Sequence, residues 1–156
     1  MSLVYLDTSA LIKEYVNEVG SLWIRTLIAV DRTPVVFTSR IAAVETACAF
    51  ARRRREGNLS ATDYAHALSV SEYDLAYHYN TLEVDSIIID TARRLADRHP
   101  LRAYDAVHLA TAWQKNSVLV GAGQSPLIFV AADDRLLLIA QAEGLLTDNP
   151  NLHPES

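Results

Sequence analysis

The sequence predicts an α/β fold in which a mainly parallel sheet of four to five strands carries helices on both faces. Short apolar segments alternate with longer segments of helical periodicity, and strands separated by helices usually pair in parallel. The 156 residues are half apolar, which is enough for one domain with a substantial core. We therefore expect a single domain over residues 1–148 and a flexible C-terminal tail over 149–156.

Four apolar segments predict the strands. They are short and bounded by turn or helix signals, and in chain order they cover residues 3–6, 34–38, 127–132 and 145–147. The third segment is apolar throughout, as expected of a strand that is covered on both faces.

Seven segments predict helices because their apolar residues recur every three or four positions. In chain order they cover about residues 9–16, 20–30, 40–55, 60–79, 85–99, 101–115 and 135–143. Gly57 and Gly144 suit helix C-termini, whereas Ser60 with Asp63 resembles a capping box at a helix start. Pro100 stops the helix before it.

Composition argues against several classes of protein. The chain has 14 basic and 19 acidic side chains, and its net charge of −5 disfavours a protein that binds nucleic acid mainly by nonspecific electrostatic attraction. Its longest apolar run is far shorter than the roughly 20 residues of a membrane span, so no membrane association is expected. Cys48 is the only cysteine, which excludes an internal disulfide and favours a reducing cytoplasm.

Four acidic side chains lie where the pattern predicts a buried or cleft-facing position. Asp7 and Asp133 directly follow apolar strands, hence at the sheet edge where parallel α/β folds bind ligands. The helical neighbours of Glu45 are Ile41, Val44, Cys48 and Ala51, and those of Asp105 are Leu101, His108, Leu109 and Ala112. Two unit charges about 4 Å apart repel by about 4 kcal/mol near a protein surface, so acids that share a cleft require a proton or a cation.

Each acid alone also has a structural explanation. The two acids that follow strands could cap the next helices. The two helical acids could instead form ion pairs with arginines such as Arg52 or Arg102. His108, three residues after Asp105, could be a general base, although a hydrogen-bonded helix histidine is the better interpretation.

Carboxylates without a cysteine pair or a histidine cluster favour the hard cations Mg²⁺ and Mn²⁺. Such a metal can bind a phosphate oxygen and activate water, as phosphodiester hydrolysis requires. The hypothetical catalytic and metal-binding residues are Asp7, Glu45, Asp105 and Asp133, of which the last binds a second metal or orients water. Thr8 and Ser9 are expected to support this set, and Arg52 and Arg102 are candidate contacts to a substrate phosphate.

Four short segments carry these acids: residues 7–13 (DTSALIK), 43–46 (AVET), 101–110 (LRAYDAVHLA) and 129–136 (FVAADDRL). In this order and spacing they resemble the motifs of PIN-domain ribonucleases and, more narrowly, those of VapC-type toxins. Ala131 departs from the pattern, because the family often has Thr or Ser two residues before the fourth acid.

The resemblance implies a three-layer α/β/α domain with Mg²⁺- or Mn²⁺-dependent endoribonuclease activity, which would make Arg52 and Arg102 candidate RNA contacts. It also implies the toxin role in a type II toxin-antitoxin pair, a cognate antitoxin and a homodimer. Helices over residues 40–79 are the candidate surface for antitoxin docking or self-association.

Other functions remain possible. A non-catalytic PIN-fold module could bind protein or RNA, but it would have no physical reason to retain four mutually repelling acids. An aspartyl-phosphate phosphatase usually has a second Asp two residues after the first, where this chain has Ser9. A signalling receiver module expects a Lys after its last long strand, where this chain has Asp133, Asp134 and Arg135.

Overall fold

The computed structural model describes residues 2–155 and has one sheet of five parallel strands. The strands are β1 (Leu3–Leu6), β2 (Val35–Ser39), β3 (Asn80–Leu82), β4 (Ile128–Val130) and β5 (Leu146–Asp148). They are arranged in the order β3-β2-β1-β4-β5, and each neighbouring pair is parallel. The predicted α/β class and parallel sheet are confirmed, and β1 lies at the centre.

In the part of the chain that the structure describes, seven α-helices connect and flank these strands. They are α1 (Thr8–Leu11), α2 (Ser21–Leu27), α3 (Ala42–Arg55), α4 (Ala61–Tyr77), α5 (Ser86–Arg98), α6 (Ala103–Gly121) and α7 (Asp134–Ala142). Short 3₁₀ turns cover Ile12–Glu14, Val30–Arg32 and Pro150–Leu152. Within residues 2–155, no helix has the length and apolar character needed to cross a lipid bilayer.

Helices cover both faces of the sheet and produce three layers. Successive side chains of β1 point to opposite faces, because a strand alternates its side chains. Tyr5 lies in a core with α5, α6 and α7, in which Leu109 is fully buried. Leu6 lies in the opposite core with α1 and α2, in which Ile24 is fully buried. The predicted three-layer architecture is therefore confirmed.

The structure differs from the prediction most clearly at β3 and α6. Strand β3 was not predicted, because its three residues at the sheet edge have no apolar run. Helix α6 continues to Gly121 instead of ending near Lys115. Its last turns are held by tertiary contacts: Leu119 is buried, and the Asn116 side chain accepts a hydrogen bond from the Leu127 backbone N–H (3.0 Å).

Residues 149–155, expected from the sequence to form a flexible tail, lie against α2. Asn149 and Pro150 are buried. The His153 ring stacks on Trp23 with centroids 4.2 Å apart and planes 3° apart. A Cβ atom added to Gly20 would lie 2.4 Å from the carbonyl oxygen of Pro150. This close approach requires the glycine at the start of α2.

Glu143 joins the C-terminal ends of α5 and α7. Its Oε1 lies 2.7 Å from His99 Nε2 and 3.0 Å from Arg98 Nη2. Burial of the Glu143 carboxylate acts to raise its pKa, but the hydrogen bonds and charges of His99 and Arg98 outweigh burial and lower the pKa.

The Glu143→Gln variant is expected to lose about 1 kcal/mol of unfolding free energy at neutral pH, because a charge-assisted hydrogen bond is weakened. A depressed folded-state pKa gives stability that is present above the unfolded-state value and is lost as the pH falls through the folded-state pKa. Urea unfolding at several pH values should therefore show wild type and variant converging in acid. The control is Glu83→Gln, which removes an exposed carboxylate paired with Arg40 and should change little. Equal losses of unfolding free energy in both variants would contradict a specific stabilising role of the Glu143 contacts.

Candidate active site

Asp7 directly follows β1 and caps α1. Its backbone N–H donates to the carbonyl of Val130 (3.1 Å), which fixes the strand end beside β4. Its Oδ1 accepts hydrogen bonds from the Ala10 backbone N–H (3.0 Å) and the Ser9 hydroxyl (2.6 Å). The capping explanation for Asp7 is therefore correct, but it uses only one carboxylate oxygen.

Asp133 lies three residues after β4 and caps α7 in the same way. Its Oδ1 accepts from the backbone N–H groups of Arg135 (3.0 Å) and Leu136 (3.2 Å). The loop before it is tied to the first motif, because the Ala132 N–H donates to the Ser9 hydroxyl oxygen (2.9 Å). Ser9 thus connects the Asp7 carboxylate with the loop that lacks a hydroxyl of its own at Ala131.

Glu45 lies on the first turn of α3 with its side chain 24% exposed. Its Oε1 contacts Nε2 of His108 (2.6 Å) and accepts a hydrogen bond from the Thr8 hydroxyl (2.8 Å). His108 is therefore a hydrogen-bonded helix histidine, and the preferred interpretation of the sequence is confirmed. The Thr8 hydroxyl is thus a hydrogen-bond partner of the Glu45 carboxylate.

The predicted core stripe around Glu45 was wrong. Val44 is 64% exposed and Cys48 is exposed, whereas the fully buried side chains of α3 are Ala42, Thr46 and Phe50. These recur every four residues, and that row faces the core. Glu45 therefore lies at the border of the buried face of α3.

Asp105 pairs with Arg102, the residue at the N-terminus of α6. Asp105 Oδ2 accepts from Arg102 Nε (3.3 Å), and Arg102 Nη2 lies 3.9 Å from Asp133 Oδ2. The arginine side chain is 85% exposed, so this contact contributes little to stability. The Arg102 guanidinium nevertheless contacts acids from two segments, Asp105 of α6 and Asp133 of the β4-α7 loop.

Burial and neighbouring groups shift the pKa of two of the acids. Burial raises the pKa of Asp7 to about 6; His108 and the hydrogen bonds from Ser9 and Ala10 oppose this rise, and the nearby charge of Asp105 adds to it. For Glu45, burial also acts to raise the pKa, but the hydrogen bond and charge of His108 and the Thr8 hydroxyl outweigh burial and lower it. The site therefore contains a carboxyl with a raised pKa, Asp7, and a carboxyl with a lowered pKa, Glu45.

The acids have the chemistry to hold a hard cation, but they do not form a ready-made cage. Each carboxylate has one oxygen without a hydrogen bond to residues 2–155: Oδ2 of Asp7, Oε2 of Glu45, Oδ1 of Asp105 and Oδ2 of Asp133. Oxygen ligands of this kind suit Mg²⁺ or Mn²⁺. Across the described chain, no three His, Cys, Asp or Glu side chains converge closely enough to hold a metal. Since Asp105 is turned to Arg102, metal binding requires the Asp105 side chain to reorient, whereas Glu45 can keep its Oε1 contacts with His108 and Thr8.

The arginines near the end of α3 have different surroundings. Arg53 pairs with Glu18 (3.3 Å), and Arg54 lies 4.4 Å above the ring of Tyr64. Arg52 is exposed and has no acidic partner within residues 2–155. Of the two candidate phosphate contacts, Arg102 touches the acids and Arg52 does not.

Tyr5 adjoins the candidate site through His108, a contact that the sequence did not reveal. Its fully buried hydroxyl lies 2.8 Å from Nδ1 of His108. A tyrosine in an apolar strand is usually a core residue. Only the contact with His108 in the folded protein indicates another role.

Comparisons with known proteins agree with this fold. The model of the family described as "PIN domain" matches residues 4–140. Two proteins named Ribonuclease VapC45 and Ribonuclease VapC49, from two strains of Mycobacterium tuberculosis, are each 32% identical over 159 aligned residues, covering 99% of this chain and 100% of their own length. The crystal structure of VapBC-5 from M. tuberculosis, a member of the VapBC family of toxin-antitoxin systems, is similar in fold. Its TM-score is 0.55 at 18% identity, covering 96% of this chain and 98% of the other.

Proposed function

This chain belongs to the PIN domain family, and on that basis we propose that it is an endoribonuclease and the toxin of a type II toxin-antitoxin pair. Relatives named as ribonucleases align with nearly the whole chain, so the proposal concerns the entire domain. The observation that carries it is the set of contacts around four acids from four separate segments. Ser9 contacts Asp7 and the backbone next to Asp133, and Thr8 contacts Glu45. Arg102 contacts both Asp105 and Asp133.

Asp7, Glu45, Asp105 and Asp133 would hold Mg²⁺ or Mn²⁺ through the carboxylate oxygens that make no hydrogen bond. When bound, the metal supplies Lewis acidity to a phosphate oxygen and lowers the pKa of a water molecule. The protein orients its ligands beforehand: Ser9 holds Asp7, whereas Thr8 and His108 hold Glu45.

RNA cleavage by the purified protein tests this function directly. A mixed RNA pool is incubated with the protein in EDTA, in Mg²⁺ and in Mn²⁺, and new RNA ends are mapped. We expect defined ends in the metal-containing samples and none in EDTA. If no new ends arise with either metal, the endoribonuclease proposal is wrong and a non-catalytic binding module is favoured.

Arg102→Ala is expected to raise the KM for RNA several-fold with little change in kcat. The exposed guanidinium provides a positive charge beside the acids, and a phosphate contact contributes mainly to binding. Steady-state cleavage of one RNA at two salt concentrations measures this effect, which should shrink at the higher salt. Arg52→Ala should act in the same direction if that residue also contacts RNA.

The matched control is Arg93→Ala on α5. Arg93 is 80% exposed and also has an aspartate three residues away, Asp90, but it lies on another helix. A loss of equal size in this variant would assign the effect to net charge and would contradict a specific role for Arg102.

The proposed toxin acts in the cytoplasm, as a homodimer and with a cognate antitoxin. Helices α3 and α4 are the proposed docking surface, since they expose Val44 (64%), Tyr73 (56%) and Tyr77 (74%). Co-expression with the neighbouring gene product should relieve growth arrest. Tyr77→Glu should weaken that relief, because it places a charge on the surface.

A further inference from the structure

A buried column of side chains from three elements ends at the Glu45 carboxylate. It begins at Tyr5 of β1, passes through His108 of α6 and ends at Glu45 of α3, with contacts of 2.8 and 2.6 Å. Tyr5 stacks on Phe129 with ring centroids 5.6 Å apart. The His108 ring contacts the Tyr5 ring in an edge-on geometry. Packing thus holds both rings of the column before any ligand arrives.

The direction of the hydrogen bonds follows from chemistry. An ionised Glu45 can only accept, so His108 Nε2 must carry the hydrogen that lies between them. A neutral imidazole then has an accepting Nδ1, to which the Tyr5 hydroxyl donates. A charged imidazole donates from both nitrogens, and Tyr5 accepts. In either state Nε2–H points at Glu45.

His108 is not available as a general base. Only 2% of the residue is exposed, and both ring nitrogens are occupied by Tyr5 and Glu45. A base must reach the proton that it removes, directly or through one water molecule. The column therefore acts on Glu45 and not on the substrate.

The column leaves the two oxygens of Glu45 unequal. His108 and Thr8 both contact Oε1, whereas Oε2 has no hydrogen bond to the described part of the chain. We propose that Tyr5 and His108 are positioning residues that hold Oε1 of Glu45 and so reserve its other oxygen for the cation. This inference rests on the proposed function. It adds two residues that touch neither metal nor RNA but set the affinity of the site for its metal.

Three variants separate positioning from packing. His108→Gln places an N–H donor near the original Nε2, whereas His108→Asn is too short to reach Glu45. Tyr5→Phe removes only the phenolic oxygen. Isothermal titration with Mn²⁺ in the absence of RNA gives the metal affinity, and thermal unfolding in EDTA gives the stability. Ser71→Ala, which removes a buried hydroxyl on α4, is the control.

We expect His108→Asn to weaken Mn²⁺ binding by about 10- to 100-fold, as is typical when a partner of a metal ligand is lost. The Mn²⁺ affinity of His108→Gln should stay within a few-fold of wild type, and that of Ser71→Ala should equal wild type. If both histidine variants lose stability but bind Mn²⁺ like wild type, the column is only structural and the inference is wrong.

Tyr5→Phe keeps the test valid if His108→Asn does not fold. It should weaken Mn²⁺ binding by several-fold, and an unchanged affinity would overturn the inference. Failure of the proposed function looks different: wild type would bind Mn²⁺ but produce no new RNA ends. Wild type that binds no Mn²⁺ would contradict both.

Discussion

Asp7→Asn is expected to reduce RNA cleavage by about a thousandfold and, at the same time, to stabilise the folded protein. A metal contributes several kcal/mol to phosphodiester hydrolysis, and each 1.36 kcal/mol corresponds to a factor of ten in rate. The asparagine keeps an oxygen that can accept from Ala10 and Ser9, so the cap of α1 is retained. The substitution removes the negative charge and replaces the other carboxylate oxygen with an amide NH2 group.

The gain in stability follows from the cost of ionising Asp7 in the folded protein. Burial raises its pKa from 3.8 to about 6. The folded state therefore holds its proton to a higher pH than the unfolded state does, and stability falls as the pH rises through this interval. The full cost is about 3 kcal/mol at 1.36 kcal/mol per pKa unit, and we expect about 1–2 kcal/mol to be recovered because a buried amide also has a cost.

Urea unfolding in EDTA measures this effect. The difference between Asp7→Asn and wild type should open between about pH 4 and pH 6 and stay constant above, which is the interval in which only the folded state keeps the proton. Asp97→Asn, on the exposed side of α5, should change neither cleavage nor stability. If Asp7→Asn cleaves RNA at the wild-type rate, Asp7 is not part of the active site.

Gly20→Ala is expected to destabilise the protein by about 3 kcal/mol, which corresponds to roughly 6–12 °C in Tm for a domain of this size. Gly20 has φ +85°, and left-handed backbone costs an alanine roughly 1–2 kcal/mol. In addition, the new Cβ would lie 2.4 Å from the Pro150 carbonyl oxygen, so the C-terminal segment or the start of α2 must move.

Gly57→Ala is the matched control. Gly57 has φ +79°, but a Cβ added there meets nothing within 4 Å, so only the backbone strain remains. The difference between the two variants measures the contact with residue 150. In a chain that ends at Asp148 this difference should disappear. If it persists, the added cost of Gly20→Ala does not arise from that contact.

The sequence was sufficient for the parts of the fold that apolar periodicity specifies. Strand β1 and helix α5 lie where the pattern predicted them, because Leu3–Leu6 is a compact apolar run and Asp85 and Pro100 mark the limits of a helix. The pattern could not show β3, whose three residues are held by pairing with β2. Nor could it show the end of α6, which depends on the buried Leu119.

The sequence could name candidate site residues but not the contacts between them. Acids after strands, such as Asp7 and Asp133, are visible in the sequence because the sheet brings strand ends to one edge. The partner of Glu45 is His108, 63 residues away, and local spacing contains no information about that pair. The same holds for Ser9, whose hydroxyl meets the Ala132 backbone 123 residues later.

Cys48 has a practical consequence for work on the purified protein. The thiol is exposed on α3, three residues after Glu45, and it has no second cysteine in the chain to pair with. Air oxidation can therefore join two molecules only through this helix, and a covalent dimer on a non-reducing gel must be distinguished from native assembly. Under reducing agent, the same thiol accepts a single maleimide fluorophore, which labels α3 at one position for binding measurements.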